Sequence, residues 1–100
     1  MVSRNEIRRI VEEAKKLGYT VDPKKLEKNL KEFEEWVRRS REIRRKHADW
    51  KFINSQPEPI KSALKILVET GDLWLAAKFA GMKIDEFNEL RLKAKIPLVI

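Results

Sequence analysis

Basic residues cluster in one short segment between residues 38 and 51. This arginine cluster consists of Arg38, Arg39, Arg41, Arg44, Arg45, Lys46 and Lys51, and it is interrupted by just two acidic residues, Glu42 and Asp49. Guanidinium groups donate forked hydrogen bonds that fit phosphate oxygens. Helical spacing places Arg41, Arg44 and Arg45 on one face. The cluster therefore predicts contact with phosphates or with an acidic partner, the alternative being a basic helix end that offsets the helix dipole.

The remaining residue types argue against catalysis and against metal binding. The chain has no cysteine and a single histidine, His47, which excludes a thiolate zinc site, a cysteine nucleophile and a site of several histidines. Acidic pairs such as Glu12-Glu13 lie among basic residues at helical spacing, which is typical of ion pairs on a solvated helix. The glycines stand alone, so no phosphate-cradling loop is present. We expect no enzymatic activity, no cofactor and no metal.

Composition favours one small protein whose excess of basic residues lies in its N-terminal half. The chain has 100 residues, 42% hydrophobic and 39% charged, and a net charge of +7. This length fits one domain or two small helical lobes. Residues 1–55 carry +6 of the net charge and residues 56–100 carry +1. No apolar run approaches the roughly 18 residues of a membrane span, and no signal peptide is visible. We therefore expect a cytoplasmic protein with no membrane partner.

Apolar spacing predicts an all-α fold that begins with a helical hairpin. Apolar residues recur at helical intervals over residues 3–17 and again from Pro23 to about residue 47. About five residues join these helices, and a link that short favours an antiparallel hairpin. We predict an N-terminal domain over residues 1–53, a hairpin with a basic helix end, followed by a linker over residues 54–59. The extent of the apolar stripes predicts a homodimer or a bound partner.

The C-terminal domain is predicted over residues 60–100 as three helices and a short apolar tail. Its helices are expected over residues 60–70, 73–80 and 84–95, with Gly71 and Gly81 as breaks. The last two resemble a helix-turn-helix, in which a small residue permits close crossing and a glycine makes the turn. The residues that fill these positions are Ala76, Ala77, Gly81, Met82, Ile84, Phe87 and Leu90. Any helical hairpin with a glycine turn is the alternative.

The stretch from residue 71 to residue 87 reads GDLWLAAKFAGMKIDEF. It resembles the core of a small prokaryotic family, G-x-x-S-L-x-x-A-A-E-x-A-G-M-S-x-x-E-F, whose members are regarded as helix-turn-helix antitoxins. Residues 96–99 are similar to that family's closing I-P-hydrophobic tail. The resemblance covers about residues 60–100 and implies operator DNA binding together with a toxin partner. Asp72 and Lys83 both replace serines of the pattern; aspartate also caps helices, whereas lysine does not.

The motif predicts a DNA-binding surface with mixed electrostatics. In a working helix-turn-helix the second helix enters the major groove. The predicted nucleic-acid-binding residues are Arg38, Arg41, Arg44, Arg45, Lys46, Lys78, Lys83, Asn88 and Arg91. Asp85, Glu86 and Glu89 oppose this reading, because carboxylates facing phosphates raise the electrostatic cost. Trp74 is expected in the core; an exposed tryptophan there would be an interface anchor.

Two functions follow from these observations. The leading hypothesis is a small antitoxin-like regulator that binds duplex DNA and holds a protein partner such as a toxin. The alternative is a non-enzymatic protein-interaction subunit that uses the helix-turn-helix as a scaffold.

Overall fold

The computed structural model describes residues 3–98, and all regular secondary structure in this range is helical. The helices are α1 (Arg4–Lys16), α2 (Pro23–His47), α3 (Trp50–Ser55), α4 (Ile60–Thr70), α5 (Leu73–Ala80) and α6 (Ile84–Lys93). The predicted all-α fold, a hairpin followed by a three-helix unit with a helix-turn-helix, is confirmed. None of these helices combines the length and the apolar character needed to cross a membrane. Val99 and Ile100 of the predicted tail lie outside the described residues.

The chain forms two compact units, residues 1–38 and residues 39–100, and the division falls inside α2. The predicted domain boundary lay further along, after residue 53. Residues 50–55 form α3, which begins where the Asp49 side chain accepts a hydrogen bond from the Phe52 backbone N–H at 3.0 Å. Ile53 in this helix is completely buried. The stretch between α3 and α4 is thus residues 56–59, shorter than the predicted linker.

The first unit, which we call the hairpin unit, contains α1 and the first part of α2. The Ser3 hydroxyl accepts a hydrogen bond from the Glu6 backbone N–H at 3.2 Å, which caps α1 at the predicted position. The chain leaves α1 through Gly18, whose φ of +86° is the left-handed conformation that glycine adopts without strain. Ile7 and Val11 are the buried apolar residues of this unit between residues 3 and 38.

The second unit holds the hydrophobic core. Its buried apolar residues are Ala48, Ile53, Ala63, Leu64, Leu67, Val68, Ala76, Ala77, Phe87, Ala94 and Ile96. Helix α4 packs against α3 and α5, and α5 packs against α6. Ala76 and Ala77 give α5 a small-residue face, and Phe87 of α6 is completely buried in the same core. Close helix crossing at small residues is what the motif requires.

Local signals set the ends of the last helices. The Asp72 carboxylate accepts a hydrogen bond from the Leu75 backbone N–H at 3.0 Å and caps α5. Gly81 follows α5 with a φ of +69°. Lys83 stands at the start of α6 and makes no side-chain cap. Helix α6 ends at Lys93, two residues before the predicted end, because Lys95 adopts a left-handed φ of +56°.

Candidate functional site

Arg44, the central residue of the arginine cluster, is buried against the end of α4. Arg44 is only 4% exposed to solvent. Its Nε donates a hydrogen bond to the Val68 carbonyl at 2.7 Å, and its Nη2 donates to the Glu69 carbonyl at 3.4 Å. The last carbonyls of a helix lack intrahelical partners, so these bonds satisfy groups that need donors. The Nε and Nη2 groups of Arg44 are therefore engaged within the fold.

Arg41 and Arg45 converge on the same residue, Glu69. Arg45 donates from Nε and Nη2 to the two carboxylate oxygens of Glu69 at 2.9 and 2.7 Å. Arg41 Nε donates to the Glu69 carbonyl at 3.1 Å and lies 3.8 Å from its carboxylate. The Trp50 indole N–H donates to the Arg45 carbonyl at 2.9 Å. The three arginines thus tie the end of α2 to the end of α4.

The pKa values of Arg44, Arg45 and Glu69 are shifted by burial and by ion pairing. Burial lowers the pKa of the Arg44 guanidinium, and the neighbouring Arg41 charge lowers it further against the opposing effect of Glu69. The hydrogen bond that Arg45 donates to Glu69 raises the pKa of Arg45, and the same bond lowers the pKa of the Glu69 carboxyl. The negative charge of Glu69 thus balances part of the positive charge of the arginine cluster, which the sequence predicts to contact phosphates.

The other predicted nucleic-acid-binding residues are divided between exposed and half-buried positions. Arg38, Lys46, Lys78 and Lys83 are exposed. Arg91 Nε donates to the Asn88 side-chain oxygen at 2.7 Å, and Arg91 Nη1 donates to the Ile96 carbonyl at 3.0 Å. Asn88 and Arg91 are both half-buried. This pair holds the turn after α6, so the structure does not bring the predicted residues together into one free basic surface.

The exposed side of α6 is acidic. Asp85, Glu86 and Glu89 are exposed there together with Leu92 and Lys93, and their spacing places all five on one side of the helix. This is the side opposite the buried Phe87. A helix that read DNA bases through this side would bring three carboxylates to the phosphate backbone. The exposed side of α6 is better suited to a positively charged partner.

The exposed side of α5 is apolar, and it was not predicted. Trp74 is 73% exposed, Leu75 49% and Phe79 52%, and Lys78 lies between them on the same side. The expectation that Trp74 lies in the core is wrong. The physical reason is helical register: Leu73, Ala76, Ala77 and Ala80 form the side of α5 that turns to the core, and Trp74 lies outside it. The spacing of the alanines along α5, drawn as a helical projection, indicates from the sequence which side of this helix is buried.

Large exposed aromatic side chains are typical of interface anchors. Trp and Tyr, with Arg, supply most of the residues that dominate binding energy in protein complexes. Contiguous apolar surface on a small protein marks an interaction site more often than isolated apolar residues do. The apolar side of α5 and the acidic side of α6 therefore define the candidate site, which we call the α5–α6 surface.

A groove beside α6 is a second feature of this unit. Within residues 3–98, no group of three or more His, Cys, Asp or Glu side chains is placed to hold a metal ion. A groove of about 420 Å³ runs beside α6 and is lined in part by His47, Arg91 and Lys95. Arg91 is already bonded to Asn88 and Ile96, and no serine, threonine or cysteine lines this groove.

Comparison with protein-family models, with curated proteins and with solved structures finds no match for the chain. The resemblance of residues 60–100 to helix-turn-helix antitoxins therefore stays a prediction.

Proposed function

We propose that this protein is a non-enzymatic binding subunit whose α5–α6 surface docks a protein partner. The observation that carries the proposal is the exposure of Trp74, Leu75 and Phe79 on one side of a capped helix. Burying large apolar side chains is favourable by about 25 cal/mol per Å² of apolar area. Three such side chains on one short helix provide a compact anchor of the kind found at the centre of protein interfaces.

The neighbouring helix restricts the chemistry of the partner. The carboxylates of Asp85, Glu86 and Glu89 are exposed on α6, which packs directly against α5. A complementary surface would offer an apolar pocket for Trp74 and basic side chains for α6. The partner we propose is a protein segment that combines apolar and basic residues. A toxin, as the sequence resemblance implies, is one protein that could present such a segment.

A peptide-display selection tests this proposal without knowledge of the natural partner. The full chain is used as bait against random peptides, with counter-selection on the Trp74→Ala/Phe79→Ala variant. We expect enriched peptides rich in aliphatic, aromatic and basic residues, whose affinity falls about tenfold or more in that variant. The control is Tyr19→Ala, which removes a similarly exposed aromatic ring from the hairpin unit. Enrichment of acidic peptides, or equal binding to the Trp74/Phe79 variant, would contradict the proposal.

Duplex DNA binding is the second candidate function, and the charge of the second unit favours it. Residues 39–100 carry 13 Lys and Arg against 8 Asp and Glu, a net of +5. Lys46, Lys78 and Lys83 are exposed there. Non-specific DNA binding needs exposed cations and no base contacts. This candidate assigns DNA contact to lysines, since the central arginines are bonded to α4.

Fluorescence anisotropy with a labelled duplex across salt concentrations tests this candidate. If DNA binds, the logarithm of affinity falls linearly with the logarithm of salt concentration. Lys78→Gln/Lys83→Gln is expected to reduce that slope by about 2, whereas Lys24→Gln/Lys28→Gln in the hairpin unit serves as the matched control. An Arg44 substitution is unsuitable here because it would also disturb the fold. Absence of binding at low salt would remove the DNA candidate and leave the protein-docking proposal standing.

A further inference from the structure

The hairpin unit has a second apolar surface, separate from the α5–α6 surface. Ile10 is 40% exposed and Leu17 76% on α1, and Phe33 is 59% exposed and Trp36 43% on α2. The Phe33 and Trp36 rings stack with their centroids 6.0 Å apart. We call these four residues the apolar face of the hairpin.

The opposite side of the hairpin unit is charged. A groove of about 440 Å³ lies between α1 and α2. Its lining includes Arg8, Glu12 and Lys15 from α1, and Lys24 and Glu27 from α2. Each residue turns a helix by about 100°. In α1 the groove residues therefore lie to one side of the buried residues Ile7 and Val11, and in α2 they lie on the side that meets them across the groove.

The same rotation places the apolar residues together. Ile10 and Leu17 lie on the other side of the Ile7–Val11 line, and Trp36 lies on the corresponding other side of α2. Because the charged sides of both helices meet at the groove, the apolar sides of both helices must share the opposite face. The hairpin unit is thus a two-helix layer with one charged face and one apolar face.

Such a layer is too small to be stable alone. The unit spans 38 residues, and between residues 3 and 38 the buried apolar residues are Ile7 and Val11. Domains below about 40 residues usually require a disulfide, a metal or oligomerisation. The chain has no cysteine, and residues 3–98 contain no metal-binding group of side chains. Besides the continuation of α2 into the second unit, association is a source of stability that remains open to the hairpin unit.

We propose that the apolar face of the hairpin binds the same face of a second copy, forming a four-helix bundle. An isologous two-fold contact needs one self-complementary surface, which a two-helix apolar layer provides. The border of this face carries Glu6 and Glu13 on α1 and Lys25 and Glu32 on α2. A copy that lays α1 over α2 can join Lys25 to a glutamate of α1.

Sedimentation equilibrium of the full chain over a wide concentration range tests the dimer. We expect a reversible monomer–dimer equilibrium whose dissociation constant rises about tenfold or more in Phe33→Gln/Trp36→Gln. Arg8→Gln/Lys24→Gln changes the charged groove and should leave the dissociation constant unchanged. Circular dichroism on each variant confirms that helix content is retained.

A second measurement uses the cysteine-free background and leaves the aromatic pair intact. Ile10→Cys carrying a spin label is expected to give an intermolecular electron–electron distance that disappears on dilution with unlabelled chain. A chain that stays monomeric at all concentrations would overturn the proposal. So would a dimer that is unaffected by Phe33→Gln/Trp36→Gln, because its contact would lie elsewhere. Neither result bears on the α5–α6 surface, which is tested by its own variants.

Discussion

Arg44 lies where the end of α2 meets the last carbonyls of α4, and its burial makes it a structural residue. Replacing it with methionine keeps the apolar stem but removes charge-assisted hydrogen bonds to Val68 and Glu69. We expect Arg44→Met to lower the free energy of unfolding by about 2–3 kcal/mol, measured by urea denaturation. Lys46→Met, at an exposed position, should change it by less than about 0.5 kcal/mol. Equal effects of the two substitutions would contradict the structural role of Arg44.

Gly71 and Gly81 form a matched pair for testing the same contact. Both have left-handed φ angles, +70° and +69°, so alanine at either position is strained by about 1–2 kcal/mol. A Cβ at Gly71 would lie 2.8 Å from Arg44 Nη1, whereas a Cβ at Gly81 would meet nothing within 4 Å. Gly71→Ala should therefore lower the urea midpoint more than Gly81→Ala, and the excess should vanish in an Arg44→Met background. If Gly71→Ala still lowers the urea midpoint more than Gly81→Ala in the Arg44→Met background, the contact with Arg44 is not the cause of the difference.

Glu69 gives the molecule a pH-dependent contribution to stability. Its pKa is lowered in the folded protein, chiefly by the hydrogen bond from Arg45, so folding favours the ionised carboxylate. This contribution is present above the ordinary glutamate pKa of about 4.3, and it is lost as pH falls through the lower folded pKa. The melting temperatures of wild type and Glu69→Gln should differ at neutral pH and converge in acid. A difference that widens in acid would be inconsistent with this assignment.

At the scale of single helices, α5 depends on its cap. Helices this short are marginal alone, so the bond between Asp72 and the Leu75 N–H matters. Asp72→Ala should cost about 1 kcal/mol in unfolding free energy, and Asp72→Ser should restore most of it because serine also caps helices. Urea denaturation of the two variants checks this expectation. A serine variant as unstable as the alanine variant would argue against capping.

Helix positions were largely predictable from sequence because their signals are local. Ser3, Asp72 and Gly81 each act within a few residues of their own position, and they mark helix ends where the structure has them. Helix α3 was missed because its signal, Asp49 before Phe52, lies in a short mixed segment. The end of α6 was misplaced because the left-handed Lys95 is not a residue type that usually stops a helix.

The candidate site was less predictable because it depends on contacts that are distant in sequence. Arg44 is 24 residues from Val68, so the arginine cluster looks exposed when α2 is read alone. Trp74 was assigned to the core by its size, although the alanines of α5 define the buried side. The burial of Arg44 depends on packing between helices, which periodicity within one helix does not report, whereas the exposure of Trp74 follows from the spacing of the alanines within α5.

At the scale of the whole molecule, net charge alone does not describe the surface. The net charge of +7 suggests one basic binding protein. Instead, Glu69 holds the central arginines, α6 exposes carboxylates, and α5 exposes Trp74 and Phe79. We therefore propose protein docking for the second unit and self-association for the hairpin unit.

The most direct test of this account is the affinity of display-selected peptides for wild type and for Trp74→Ala/Phe79→Ala. We predict that apolar, basic peptides bind wild type and lose about tenfold or more of their affinity in the variant, while Tyr19→Ala binds like wild type. Peptides that bind all three proteins equally would contradict the central claim that the α5–α6 surface is the docking site.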